Sequence, residues 1–215
     1  MTHTEELRTE SQTLWLLAEL SAETPARERL VSLRQALETA RETDPEDPMA
    51  VLWLAGLEEA LDSDAGWLEV RKDYVRLFSG VYKEGGPTPP MQSAVMPDGG
   101  DMVQLMAHLA DLFARSGFVR PEGLSHAHDH VSTLLFCLAA QRFGQAQALD
   151  EGDTEAAERF QRLYHYTLRN HLLPWVPAWL EQAQRHARST FYKAWMAGLN
   201  DAVHQLRATL ETEDA

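Results

Sequence analysis

The spacing of apolar residues is the feature that most constrains the fold of this chain of 215 residues. Apolar side chains recur every three or four residues along nearly the whole sequence, as at Leu30, Leu33 and Leu37, which is the period of one face of an α-helix. No segment shows the alternation of apolar and polar residues that a half-buried strand requires. The pattern therefore predicts an all-α protein of roughly eight or nine helices.

Polar residues that favour helix N-termini indicate where several of these helices begin. Asp47 precedes Pro48, and this order is typical of a helix start because the carboxylate accepts N–H groups that have no partner in the first turn. Comparable starts are predicted at Thr24, at Ser63 or Asp64, and at Asp153, and the helical pattern also resumes at Asp101. Periodicity alone predicts a further helix from about Ser125 to Phe143, and Pro174 is expected to interrupt or restart a later helix.

Two segments rich in glycine and proline interrupt the helical pattern. Residues 79–100 form the longer one, and residues 116–125 the shorter one. Proline has no N–H donor and glycine has too much conformational freedom, so the first segment is predicted to be a long loop, either functional or a disordered linker. We expect a single helical domain over residues 1–215, with a candidate hinge near residues 116–125.

Charge and composition exclude several classes of function. Acidic residues outnumber basic ones by 33 to 19, giving a formal net charge of −14, so neither nucleic acid nor an anionic membrane surface is an expected partner. Cys137 is the only cysteine, which excludes an intrachain disulfide and a cysteine-based zinc site. No stretch approaches the length of a membrane span, and the first residues lack the pattern of a secretory signal, so a cytoplasmic protein is predicted.

Three histidines alternate near the second break, at positions 126, 128 and 130. Histidines beside the carboxylate of Asp129 are a candidate metal site. On a helix, however, only His126 and His130 share a face, because neighbours on one face are separated by three or four residues. A cluster exposed to solvent is therefore the simpler interpretation, and no metal is expected.

The pair His128-Asp129 also resembles the His-Asp pair of the HD phosphohydrolases, which are all-α metal enzymes. That family needs further ligands, for which His108 and either Asp150 or Asp153 are the nearest candidates. The chain contains neither a Walker-type phosphate loop nor a Gly-x-Ser-x-Gly motif. A metal-dependent phosphohydrolase is therefore kept as the alternative function.

Aromatic residues offer two interpretations. The six tryptophans either fill the core or partly line an apolar groove for a peptide. Tyr74, Leu77 and Phe78 lie at helical spacing and could likewise fill the core or line a groove. For Leu77, a place in the core is the simpler interpretation.

Three segments in a fixed order carry a family resemblance. Asp73-Tyr74-Val75-Arg76-Leu77-Phe78-Ser79-Gly80 is followed by Pro87, Pro90 and Ser93, then by Asp129-His130, and then by His171-Leu172-Leu173-Pro174-Trp175. In an all-helical chain of this size, these segments resemble the TorD/DmsD family of molybdoenzyme chaperones, also called redox enzyme maturation proteins. The resemblance spans about residues 70–180. Gln92 departs from it, because the family often has glutamate at that position.

The resemblance implies a chaperone without catalytic residues, metal or cofactor of its own. Members bind the twin-arginine signal peptide of a DMSO-reductase-type molybdoenzyme and hold the apo form of that molybdopterin oxidoreductase until its cofactor is inserted, which prevents premature export. The family's peptide-binding positions correspond to Tyr74, Leu77, Phe78, Pro87, Asp129 and His130. The two Gly/Pro breaks are candidate hinges for exchanging helices between two chains, so a homodimer is a further hypothesis.

Physical chemistry suggests a role for each part of this set. Tyr74, Leu77 and Phe78 would supply apolar walls for the helical middle of a leader. Asp129 would accept a guanidinium in a charge-assisted hydrogen bond, with His130 orienting the carboxylate. The competing interpretation of Asp129 and His130 is a helix N-cap, and both roles are compatible.

Overall fold

The computed structural model describes residues 2–79, 86–96 and 101–213, and within these ranges it is helical with no strand. Met91 and His130 form an isolated β-bridge. The prediction of an all-α fold is confirmed, while the part of the predicted loop at residues 80–85 and 97–100 lies outside the described residues. The α-helices are α1 His3–Ala22, α2 Arg27–Arg41, α3 Pro48–Asp62, α4 Asp64–Phe78, α5 Gln92–Val95, α6 Met102–Arg115, α7 Val131–Asp150, α8 Thr154–Thr167, α9 Val176–Gln184 and α10 Thr190–Glu213.

Most of the predicted helix starts are confirmed by side-chain caps. Asp47, Ser63, Asp101 and Asp153 each accept a hydrogen bond from a backbone N–H in the first turn of α3, α4, α6 and α8. Such a cap satisfies one of the N–H groups that the helix itself cannot pair. The prediction for Thr24 is wrong, because α2 begins at Arg27 and its N-cap is Ala26, which makes no side-chain cap.

The predicted helix over residues 125–143 is displaced. The helix α7 begins only at Val131 and continues to Asp150. His130 caps it, because the Nδ1 atom of His130 accepts the backbone N–H of Ser132 at 3.2 Å. Asp129 and His130, directly before the helix, are paired with residues 91 and 92, and the N–H of Val131 donates to Pro90, a contact that local periodicity does not reveal.

A short π-helical turn, Leu168–Leu172, follows α8 directly. Its hydrogen bond joins the N–H of Leu173 to the carbonyl oxygen of Leu168 over 2.9 Å, a span of five residues. Pro174 stands in the turn between this segment and α9, as expected for a residue that cannot donate a backbone hydrogen bond.

The described residues cluster into two compact units. Unit 1 contains Met1–Ala22, Pro90–Val176 and Leu206–Ala215, and unit 2 contains Glu23–Pro89 and Pro177–Gln205. Within unit 1, α7 packs against α1 and α8 and is buried along most of its length. No helix among the described residues is long and apolar enough to cross a membrane.

A buried polar cluster joins the three principal helices of unit 1. The Nε atom of Arg142 on α7 lies 3.1 Å from a carboxylate oxygen of Glu10 on α1. The guanidinium also lies 3.6 Å from the ring centroid of Tyr164 on α8, whose hydroxyl donates to Glu10. Charge pairing and hydrogen bonding together compensate for the desolvation of these groups.

An aromatic cluster forms the core of unit 2. The ring of Phe78, at the end of α4, contacts the rings of Trp179, Tyr192 and Trp195 at centroid distances of 6.0, 5.3 and 5.1 Å. All four side chains are at most 2% exposed. The cluster therefore fixes the end of α4 against α9 and α10.

Asp73 ties α4 to the beginning of α10. Its Oδ2 atom accepts hydrogen bonds from the backbone N–H groups of Arg188 and Ser189, at 2.8 and 2.7 Å, and from the Ser189 hydroxyl at 2.8 Å. Its carboxylate also pairs with Arg76, and both side chains are buried. The first residue of the Asp73–Gly80 motif thus has a structural role.

Candidate functional site

The six predicted peptide-binding residues fall into two groups. Asp129 and His130 belong to unit 1, whereas Tyr74, Leu77, Phe78 and Pro87 belong to unit 2.

The unit 2 group is buried in its core. Leu77 and Phe78 are 1% and 2% exposed, Tyr74 is 9% exposed, and Pro87 is also buried. The rings of Tyr74 and Phe78 lie 5.6 Å apart. Burial, reinforced by the nearby Glu23 carboxylate, raises the pKa of Tyr74 to about 12, so its hydroxyl stays protonated. The core interpretation of Leu77 agrees with this packing.

In unit 1, Asp129 and His130 meet the last part of the proline-rich segment. The N–H of Val131 donates to the carbonyl oxygen of Pro90 at 2.8 Å, and the N–H of Gln92 donates to that of Asp129 at 3.1 Å. The N–H of Ser93 donates to Asp129 Oδ2 at 2.9 Å. The second motif of the resemblance is therefore folded onto the end of the first.

Within the described part of the chain, one oxygen of the Asp129 carboxylate accepts a hydrogen bond and the other has no hydrogen-bond partner. The side chain is 1% exposed, and Oδ2 caps the first turn of α5 through Ser93. Among the described residues, the buried Oδ1 atom has no hydrogen-bond partner. A buried carboxylate oxygen without a donor is costly, so the arrangement favours a ligand that brings one.

His130 and His126 stack face to face in the non-helical backbone before α7. Their ring centroids are 3.8 Å apart and their planes differ by 2°. His126 Nε2 donates to the carbonyl oxygen of Ala22 over 2.8 Å, while His130 Nδ1 accepts from Ser132. The predicted pairing of these two histidines is observed, although they are not on a helix. The N-cap interpretation applies to His130 rather than to Asp129.

The third motif contacts the region around Asp129 through His171, which is hydrogen-bonded to Gln92. Its Nδ1 atom lies 3.1 Å from Oε1 of Gln92, whose amide nitrogen donates to the carbonyl oxygen of Asn170 at 3.2 Å. Gln92 thus joins His171 to Asp129, to which its own backbone is bonded. We call Asp129, Gln92 and His171 the acceptor cluster.

The groups proposed for a phosphohydrolase have other partners. His128 Nδ1 accepts from Arg120 over 3.2 Å, and burial together with this cation lowers the pKa of His128. Asp150 pairs with Arg8, and Asp153 caps α8. Within the described ranges, no three histidine, cysteine, aspartate or glutamate residues are grouped to hold a metal. The structure therefore gives the alternative function no support.

Cys137 is also unsuited to act as a nucleophile. It is fully buried in α7, and burial raises the pKa of its thiol to about 12. The reactive thiolate is therefore scarce at neutral pH.

Unit 1 also contains an apolar cavity of about 560 Å³. The side chains of Trp15 and Phe143, which are 45% and 55% exposed, lie at its edge. Alanines of α7 and Phe160 of α8 contribute to its lining. Large exposed aromatic side chains around a cavity are typical of surfaces that bind apolar segments.

The sequence prediction did not assign three of these residues to a site. In the sequence, Gln92 is a departure from the family pattern, His171 is part of the third motif and Trp15 is one of six tryptophans. Trp15 stands out in the structure because it is exposed, whereas Trp53, Trp175, Trp179 and Trp195 are buried. No local pattern distinguishes an exposed tryptophan on a helix from its buried neighbours.

The sequence model of the family described as "Nitrate reductase delta subunit" matches residues 19–181. The matched range covers more than half of the chain and includes all six predicted peptide-binding positions. Among curated proteins, no match was found.

Proposed function

The chain belongs to the nitrate reductase delta subunit family, and on this premise we propose that it binds the twin-arginine signal peptide of a molybdoenzyme. The family consists of chaperones for molybdoenzyme maturation, which act with the catalytic subunit of the enzyme. In our proposal, the chain holds the apoenzyme in the cytoplasm until its cofactor is inserted, and releases it for export afterwards.

One observation carries the proposal: among the described residues, the Oδ1 atom of the buried Asp129 carboxylate has no hydrogen-bond partner. Arginine presents five N–H donors on a planar cation and needs an anionic acceptor. Ser93 fixes one carboxylate oxygen and leaves the other for such a donor. His130 lies next to this carboxylate, and its cap on α7 holds the backbone there in place.

The apolar cavity is suited to bind the apolar middle of a leader, the segment that follows its arginines. The helix α7 begins beside Asp129 and His130 and also carries Ala139 and Phe143 of the cavity. At 1.5 Å per residue, these positions lie about 14–20 Å along the helix axis from His130. A leader with a basic front and an apolar middle spans such a distance with a helix of roughly ten residues.

Tyr74, Leu77, Phe78 and Pro87 remain proposed peptide-binding positions of unit 2. Because these residues are buried, a direct contact with the leader requires unit 2 to open locally. Tests at these positions must therefore separate loss of binding from loss of stability.

Replacing Asp129 by asparagine is expected to weaken leader binding by about 10- to 100-fold. The amide still accepts the hydrogen bond from Ser93, so the fold is kept, but the charge that pairs with a guanidinium is lost. Isothermal titration with a synthetic leader from a molybdoenzyme of the same genome measures the change.

Asp111→Asn is the matched control for this experiment. Asp111 is also in unit 1, but its carboxylate is 64% exposed and forms only a surface pair with Arg115. We expect it to bind the leader as the unaltered protein does. Equal affinities of Asp129→Asn and the unaltered protein would remove Asp129 from the site, and failure of the unaltered protein to bind any such leader would refute the proposed function.

Replacing Trp15 by alanine is expected to weaken leader binding by about 5- to 30-fold, because tryptophan is among the residues whose truncation weakens interfaces most. Its partly exposed indole packs edge-on against Phe136 at 4.7 Å and faces the cavity. The same titration measures the effect, and Val119→Ala, at a site 85% exposed and outside the lining, is the control. Unchanged affinity of Trp15→Ala would exclude the cavity as the apolar subsite.

A further inference from the structure

We propose that His171, held by Gln92, is a second acceptor for the arginines of the leader and helps determine the specificity for them. This inference rests on the proposed function, because it extends the site around Asp129. Three observations carry it: the fixed tautomer of His171, its buried and unmatched Nε2 atom, and its connection to Asp129 through Gln92.

The hydrogen bonds of Gln92 fix the tautomer of His171. The amide nitrogen of Gln92 donates to the carbonyl oxygen of Asn170, so the Oε1 atom of Gln92 is the group that faces His171. An amide oxygen only accepts, and His171 Nδ1 must therefore carry the proton of this bond. In the neutral ring, Nε2 is then left as an acceptor.

The ring is neutral at physiological pH. Burial, assisted by the nearby His108, lowers the pKa of His171 to about 4. The Nε2 lone pair is consequently available at neutral pH. His171 is 4% exposed, and among the described residues its Nε2 atom has no hydrogen-bond partner.

Exposed side chains cover this buried ring. The rings of His108 and Tyr166 lie 5.3 and 5.8 Å from that of His171, and the Tyr166 hydroxyl is 2.9 Å from His108 Nε2. Tyr166 is 41% exposed, and His108 is also exposed. Because both side chains are exposed, we expect a leader arginine to reach His171 by displacing them.

Within the part of the chain that the structure describes, two atoms of the acceptor cluster, Asp129 Oδ1 and His171 Nε2, have no donor, and this pattern selects the ligand. Asp129 Oδ1 requires a donor and favours a positive one, while His171 Nε2 requires a donor of any charge. Arginine side chains satisfy both requirements because each carries several N–H groups. A lysine ammonium would serve Asp129 as a point charge but has no planar fork.

A pair of isosteric variants isolates the Nε2 acceptor. His171→Asn keeps an amide N–H near the position of Nδ1, where it continues to donate to Gln92, but removes the acceptor at Nε2. His171→Gln places an amide oxygen near the position of Nε2. Each variant is titrated with a leader carrying both arginines and with the same leader carrying norleucine in their place.

We expect His171→Asn to weaken binding of the arginine leader by about tenfold or more, the effect of losing a hydrogen bond to a charged group. It should leave binding of the norleucine leader unchanged, and His171→Gln should recover most of the affinity. An equal loss for both leaders would assign His171 a merely structural role and overturn the proposal. Normal binding by His171→Asn would also overturn it.

Nitrogen NMR of the unaltered protein provides a test that needs no variant to fold. The Nε2 resonance of His171 should be that of an unprotonated acceptor, and it should shift on addition of the arginine leader but not of the norleucine leader. An unshifted resonance in the presence of bound leader would overturn the inference alone. Absence of leader binding, by contrast, would count against the proposed function itself.

Discussion

Replacing Asp73 by alanine should lower the free energy of unfolding by about 3–5 kcal/mol, the effect of breaking a buried ion pair. The substitution leaves the guanidinium of Arg76 buried without this carboxylate and removes the acceptor for three donors of Arg188 and Ser189. Urea denaturation followed by tryptophan fluorescence measures the change, because four of the six tryptophans lie in unit 2. A loss below about 1 kcal/mol would contradict this role of Asp73.

Glu181→Ala is the control for Asp73. Glu181 is an acidic residue of unit 2 whose side chain is 74% exposed and pairs with Arg185 on the same helix. Exposed pairs of this kind contribute about 0.3–0.5 kcal/mol, so the variant should unfold nearly as the unaltered protein does.

Replacing Phe78 by alanine is also expected to cost about 3–5 kcal/mol, because a large buried ring is lost and a cavity remains. Its three ring contacts within unit 2 and its 2% exposure place it at the centre of the aromatic cluster. The same denaturation experiment measures the effect. Val75→Ala, at a position on α4 that is 43% exposed, should change stability by less than about 0.5 kcal/mol.

Phe78→Leu separates the core role of this residue from the proposed peptide contact. Leucine keeps most of the apolar volume, so the variant is expected to remain folded. If the phenyl ring contacts the leader, affinity should fall by more than the stability loss explains. If the ring acts only in the core, the folded variant should bind the leader normally, and Phe78 would be withdrawn from the site.

Local sequence signals predict the helical fold well, but they fail at helix boundaries that depend on contacts with residues far away in the sequence. The caps at Asp47, Ser63, Asp101 and Asp153 were predictable because each acts within its own first turn. The start of α7 was not, because residues 90–92 pair with the segment before it. A contact across more than thirty positions leaves no trace in a pattern with a period of 3.6 residues.

In the candidate site, too, some residues are predictable from the sequence and others depend on contacts between distant segments. The resemblance drew attention to Asp129, and the structure adds that Ser93 holds one of its oxygens. His171 could not be recognised from its own segment, since its partner Gln92 lies 79 positions away. Asp73 opens the first motif of the resemblance, yet its contacts are those of a structural residue, because a motif does not separate binding from structural roles.

The π-helical turn before Pro174 makes the position of His171 sensitive to the exact number of residues in this segment. A segment of this kind has the residue count of an α-helix with one residue inserted, and each residue turns a helix by about 100°. His171 lies within Leu168–Leu172, so its orientation toward Gln92 depends on that extra residue. Deleting a single position there would therefore turn a different side chain toward Gln92 and break the contact between His171 and Gln92.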